Sequence, residues 1–291
     1  MLNVLKNVIK RTYKFLLNDK FALAGALIYI FFIIIAILAP YIAPFNPYKM
    51  QTVEGQFMMN KSPGDRFLLG TTDMGRDIFS QLVYGVRPAL LVGFTAAFFV
   101  VIIGTLVGLL AGYYGGKVDS VLMRLTDVAF GIPFIPFVIV LVGFLGPNIW
   151  NIVMAMALLL WRNTARVIRS QVLTVRERSF VEAAKVSGAS DFRIIFIYIA
   201  PNILPLSFLY GSLAMGWAIL TEASVSFLGF GDPDVISWGY MLNDAYISQA
   251  LTRGAYHWFV PPGICIMLIV MAGFFIGRGS EEILHPKLKE Y

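Results

Sequence analysis

Apolar residues in this chain fall into long charge-free runs separated by short polar stretches, and run length is the first guide to the elements. Phe21 to Tyr48, Pro88 to Gly116, Val128 to Trp161, Ile194 to Thr221 and Trp258 to Gly277 contain no Asp, Glu, Lys or Arg. A helix needs about 20 residues to cross a bilayer, so each run is long enough. Gly146-Pro147-Asn148 divides the third run with a turn signature, giving helices over about Asp119 to Leu145 and Ile149 to Ile168. The pattern therefore predicts six transmembrane helices. A barrel is excluded, because its strands would be about 10 residues long with alternating polarity.

The polar stretches differ in kind. Ala43-Pro44-Phe45-Asn46-Pro47 opens a long loop punctuated by Pro63-Gly64-Asp65 and by Gly70 to Asp77, with a short helix expected over Asp77 to Tyr84. Five closely connected helices follow from about Pro88. This divides the chain into residues 1–85 (N-terminus, first helix and external loop), a core of 86–279 and a tail of 280–291, with the boundary near Gly85.

Lys and Arg fix a predicted orientation. With the N-terminus inside, 17 of the 23 basic residues lie on the cytoplasmic side, and both termini are expected there. The +6 net charge follows from that topology, so no nucleic-acid partner is required. Composition agrees with a cell-membrane protein embedded in lipid, being 58% hydrophobic and only 14% charged. The basic stretch before the first span has no suitably placed cleavage site, so that span is expected to persist as an anchor. A single cysteine, Cys265, offers no intrachain disulfide and no thiolate metal site.

The segment of about 176–200 is polar yet amphipathic. Phe180, Ala183 and Ala184 in its first half, and Phe192, Ile195, Phe196 and Ile199 in its second, have helical spacing, which predicts two short helices. Gly188 tolerates the positive φ of a turn between them. Ser190 is a good N-cap, and Asp191 suits the positive end of the second helix dipole. With Ala183, Ala184, Gly188 and Ala189 the turn is slender enough to enter a groove on a partner, and Glu182 offers a carboxylate to a basic group there. The same pattern also suits a helix resting on the inner leaflet.

Glu182-Ala183-Ala184, then Gly188, then Pro201 resembles the EAA loop of permease subunits of binding-protein-dependent ABC importers. The stretches FLLGTTDMGRDIFSQLVYGVRPALLVG (Phe67 to Gly93), LAGYYGGKVDSVLMRLTD (Leu110 to Asp127), WRNTARVIRSQVLTVRERSFVEAA (Trp161 to Ala184) and ILTEASVSFLGFG (Ile219 to Gly231) are each similar to the C-type permease of dipeptide, oligopeptide and nickel importers. The resemblance implies the type I ABC importer transmembrane fold, an all-α membrane protein. It implies that Glu182, Ala183, Ala184, Gly188, Ala189, Ser190 and Asp191 form a coupling helix held in a cleft of the cytoplasmic ATPase. It also implies as partners a homologous B-type permease, two ATP-binding subunits and an extracytoplasmic solute-binding protein. The cargo expected is di- or oligopeptides, with oligosaccharides or nickel as alternatives. Tyr198 and Ala200 depart from the family pattern, where the second helix rejoins the membrane.

No cofactor is expected on this chain; ATP and Mg would sit on the partner ATPases. Gly112 to Val118 lacks the first Gly and the final Ser or Thr of a phosphate loop, and its glycines are expected to make a turn. Gly104, Gly108 and Gly112 share a helix face and predict close helix packing. Pro133 and Pro136 predict a kink, a possible gate hinge. Glu222, beside Thr221, Ser224 and Ser226, is read either as a satisfied helix contact or, with Ser224, Pro133 and Pro136, as part of the translocation path. Asp232-Pro233-Asp234 and Asp244 are read as a solvated turn rather than a cation site. His257 and His285 fall on opposite sides, so they form no joint metal site. A proton-driven carrier would place several ionisable groups at mid-membrane, and an intramembrane hydrolase would need paired Asp, Ser with His, or HExxH. Neither pattern occurs, so no catalytic residue is expected.

Overall fold

A computed structural model describes residues 19–284 of the 291-residue chain, with side chains described as far as Arg278. The basic stretch 1–18, His285 and the rest of the tail lie outside the described residues. The fold is helical apart from one hairpin, β1 (Thr52–Val53) with β2 (Gln56–Phe57), closed by Glu54 and Gly55 at φ 51° and 78°.

Helix α1 spans Lys20–Ile42. The Asp19 carboxylate caps it by accepting from the Phe21 and Ala22 amides at 2.7 and 3.2 Å. It ends at Ile42, where the loop opening at Ala43 was expected, because Ala43 precedes Pro44 and is therefore extended. After the loop come α2 (Ile78–Tyr84) and α3 (Val86–Tyr114), separated by Gly85 alone. Asp77 starts α2 where the short loop helix was expected.

The predicted third span is not one kinked helix. It is α4 (Gly116–Gly131) and α5 (Phe134–Leu145), which meet at 83°. Pro133 has no amide to donate and Ile132 is extended, so the α-helical ladder stops there. Helix α6 (Ile149–Arg176) runs well past Ile168. Helix α7 (Ser179–Val186) supplies the first half of the amphipathic segment. Its second half is not a separate short helix. It forms the first turns of α8, a long helical segment over Asp191–Phe230 with a π-helical stretch at Ile194–Ile199 and a kink near its end at Gly229, whose φ is 88°. Helices α9 (Trp238–Ile247) and α10 (Tyr256–Leu284) complete the chain.

Four helical segments are long and apolar enough to cross a membrane, at Lys20–Ile42, Ile78–Tyr114, Asp191–Phe230 and Tyr256–Arg278, and the bent α4 and α5 pair makes a fifth. Helix α6 falls short of that standard because Arg162, Asn163, Arg166 and Arg169 load its second half.

The largest seam joins α3 to α6. A Cβ on Gly104, Gly108 or Gly112 would lie 2.6–2.7 Å from Thr164, from Ile168 and the Ala165 carbonyl, or from Val172. The glycine face is thus a backbone contact, as its spacing predicts. Helix α8 packs on α3, α6 and α10, and α1 packs on α10. One apolar cluster lies around Phe32, Trp238 and Trp258, a second around Val138, Met156 and Val225, and a third around Ile168, Val181 and Ile195.

Candidate coupling turn and the polar clusters of the bundle

Residues 177–193 form a protruding turn. Helix α7 buries Val181 completely and Ala184 to 6%, whereas Ala183 and Glu182 are exposed. Of the expected face, Ala184 is buried, whereas Phe180 and Ala183 are exposed and Val181 is buried in their place. Gly188 has φ 75°; its amide donates to the Lys185 carbonyl (3.0 Å) and that of Ala189 to the Ala184 carbonyl (3.1 Å). This pair of bonds is a Schellman ending, and it places at Gly188 the positive φ expected there. Ser190 occupies the N-cap position of α8, but its side chain makes no cap bond.

The outer side of the turn leaves Val186 at 89% and Phe192 at 70% exposure beside the exposed Glu182, Ala183, Gly188 and Asp191. Its inner side is tied to the end of α3. The Tyr113 hydroxyl donates to Asp191 Oδ1 at 2.6 Å, and the Lys185 ammonium lies 6.0 Å from the Tyr113 ring. From α6, Arg176 donates to the Gly112 and Tyr113 carbonyls, both at 3.1 Å. These bonds satisfy carbonyls that the end of α3 leaves without helical partners. Gly115 and Gly116, both at positive φ, then turn the chain into α4, as expected for the glycine-rich fragment.

A second cluster surrounds the α4–α5 break. Arg162 Nη1 donates to the Ala129 carbonyl and lies 3.5 Å from that of Ile132. The Arg162 and Arg166 guanidinium groups lie 4.8 and 3.9 Å from the Phe130 ring centre. Arg166 pairs with Asp127, and Arg169 pairs with Asp119 through two bonds, all at 2.5 Å. Pro133 and Pro136 thus sit at or just past a break held by α6. The arginine spacing of four and three on α6 marks one helix face, a signal present in the sequence but not used above.

Glu222 is 4% exposed and accepts from the Ser226 hydroxyl at 2.6 Å, with Ser237, the α9 cap, as a second hydroxyl partner. Ser224 bonds back to the Leu220 carbonyl at 2.7 Å. Of the two readings of Glu222, this geometry matches the satisfied helix contact.

A layer of loops and short helices covers one end of the bundle. Asp77 is buried and caps α2, accepting from the Ser80 amide and hydroxyl at 2.8 and 2.6 Å. Burial pushes its carboxyl pKa up, against those two bonds. Trp238 Nε1 donates to the Leu82 carbonyl at 3.0 Å, and the Ser248 hydroxyl to Asp73 at 2.8 Å. Asp232 accepts from the Ile149 and Asp234 amides at 3.1 and 3.0 Å, as in the turn expected there. Asp244 is not part of that turn. It faces Asp73 and Arg76, and its pKa rises to about 6 through burial first and the Asp73 charge second, with Arg76 opposing. Among the described residues no three His, Cys, Asp or Glu side chains gather as for a metal ion.

Sequence comparison decides the family. Residues 104–290 match the family described as binding-protein-dependent transport system inner membrane component. The chain belongs to that family. Residues 9–63 of this permease also match the N-terminal transmembrane domain of oligopeptide transport permease C. The permease is 37% identical over 281 residues to a dipeptide transport system permease protein of Alkalihalophilus pseudofirmus, covering 96% of this chain and 90% of the relative. It is 35% identical to a glutathione transport system permease protein of Pectobacterium atrosepticum, covering 94% and 89%. It is also 35% identical to an oligopeptide transport system permease protein of Bacillus subtilis, covering 94% and 88%. Among solved structures it is similar to a chain of the MetNI methionine ABC transporter, with a TM-score of 0.55 at 20% identity, covering 71% of this chain and 95% of the other. That likeness shows the shared fold. The permease is thus an all-helical, multi-pass membrane protein.

Proposed function

We propose that this permease forms half of the translocation pathway of an ATP-driven importer for di- or oligopeptides. A homologous B-type permease forms the other half, two ATPase subunits bind and hydrolyse ATP with Mg, and an extracytoplasmic solute-binding protein delivers the cargo. The names of the relatives favour peptides over oligosaccharides or nickel. Both termini are cytoplasmic and the chain crosses six times, through α1, α3, the α4–α5 pair, α6, α8 and α10. Helix α6 crosses despite its arginines because Asp119, Asp127 and the carbonyls of the break pair with them.

The observation that carries the coupling role is the protruding turn. A rigidly closed Schellman turn with small residues presents Val186 and Phe192 to solvent on the side away from the bundle. ATP-driven closure of the ATPases would carry this turn as a lever and rock the two permeases between inward and outward openings.

The experiment reconstitutes the assembled transporter with Glu182→Lys and, separately, Gly188→Leu. A side chain at Gly188, with its positive φ, meets nothing within 4 Å but strains the backbone by roughly 1–2 kcal/mol. Both variants should keep the bundle folded and lose coupled transport. Unchanged transport in both would refute docking at this turn, and a transporter that accumulated labelled oligosaccharide but not peptide would overturn the cargo.

A further inference from the structure

The turn has two routes into the bundle. The covalent route runs through Ser190 into α8, whose Ile194–Ile199 stretch is π-helical, a form rare in helices and frequent at functional sites. The non-covalent route runs through Tyr113. The residue is 8% exposed, its hydroxyl donates to Asp191, and Arg176 of α6 donates to its carbonyl. Behind Tyr113, α3 is locked to α6 by the three glycine contacts.

We propose that Tyr113 is the positioning residue that passes movement of the turn to the α3–α6 pair. The proposal rests on the coupling reading above. The hydrogen bond spans 78 residues of sequence and joins the turn, at the first residue of α8, to a helix with no covalent continuity to it. Val181 and Ala184 pack in the same cluster as Tyr113, Ile168 and Val172, and as Ile194, Ile195 and Ile199 at the start of α8, so the turn, the start of α8 and the α3–α6 pair share one buried face. A push on the turn is therefore resisted on the α3 side by side-chain packing, a carboxylate bond and helix-end carbonyl bonds.

The test uses the complete reconstituted transporter and reads peptide moved per ATP hydrolysed, a ratio that a change in folding yield alone leaves constant. Tyr113→Phe removes one hydroxyl, and Asp191→Ala removes its acceptor. Each should lower the ratio several-fold with ATPase subunits still bound, and the double variant should be no worse than either. Asp191→Asn keeps an acceptor oxygen and should restore the ratio. Spin labels on α3 and α6 should keep a constant separation on ATP binding. An unchanged ratio in Tyr113→Phe or Asp191→Ala overturns the strut, as does additive loss in the double variant. Should Glu182→Lys and Gly188→Leu also transport normally, the docking reading fails instead; should they fail while the Tyr113 variants transport normally, only the strut does.

Discussion

Replacing Gly108 with alanine tests the seam on which the bundle depends. The added Cβ would lie 2.7 Å from Ile168 Cβ, Ile168 Cγ2 and the Ala165 carbonyl oxygen. Carbon atoms in contact ordinarily stand about 3.5–4.0 Å apart, so α3 and α6 must separate by about 1 Å. A gap of that size forfeits roughly a quarter to a half of each neighbouring contact. Overpacking costs about 1–3 kcal/mol, and the rigid backbone carbonyl among the three contacts places this site toward the upper end. Alanine regains about 1 kcal/mol of helix propensity over glycine. The net loss is about 1–2 kcal/mol, or roughly 2–8 °C in Tm for a chain of this size. Gly263→Ala is the control, since a Cβ there meets nothing within 4 Å and should not lower Tm. The assay is thermal unfolding of both variants in the same lipid nanodiscs. Equal melting of Gly108→Ala and Gly263→Ala would refute the close seam.

Three further outcomes follow from the polar clusters. Asp244 has a pKa raised to about 6 from 3.8. The folded state therefore binds its proton more tightly, and the stability this gives is present below about pH 4 and lost as pH rises through about 6. Asp244→Asn should accordingly melt higher than wild type at pH 7.5 and equally at pH 4, and the same difference at both pH values would exclude the burial effect. Arg162→Met should destabilise by about 1–3 kcal/mol by leaving the Ala129 and Ile132 carbonyls unpaired, read as a drop in Tm; an unaltered Tm would show that the break holds itself. Glu222→Gln keeps acceptors for the Ser226 and Ser237 hydroxyls and removes a buried charge, so transport and Tm should be retained or improved. Abolished transport with normal Tm would put Glu222 on the solute path.

Much of the site was legible locally. Gly188 was identified as the turn because only a residue free of Cβ strain suits its φ of 75°, and Gly104, Gly108 and Gly112 were identified as a packing face from spacing alone. The buried face of α7 is legible only in part, at Ala184 but not at Val181, because an eight-residue helix offers too few turns to fix its phase. The continuity of the second amphipathic half with α8 is not legible locally, because Pro201 and the change from polar to apolar residues there read as a boundary that the folded helix runs through. Tyr113, Arg162 and Asp73 were missed, since each acts through a residue far away in sequence: Asp191, the Ala129 carbonyl and Ser248.

The sequence by itself determined that this is a multi-pass helical membrane protein with an exposed glycine turn, because run length, charge distribution and glycine tolerance are properties of short stretches of chain. The tertiary structure decided the 83° bend, the pairing of the α6 arginines with α4, the separation of Asp244 from the Asp232 turn, and the tie between Tyr113 and Asp191. Those depend on how helices cross. A crossing is fixed by which surfaces approach closely enough to exclude lipid and satisfy each other's polar groups, and no short stretch contains both surfaces.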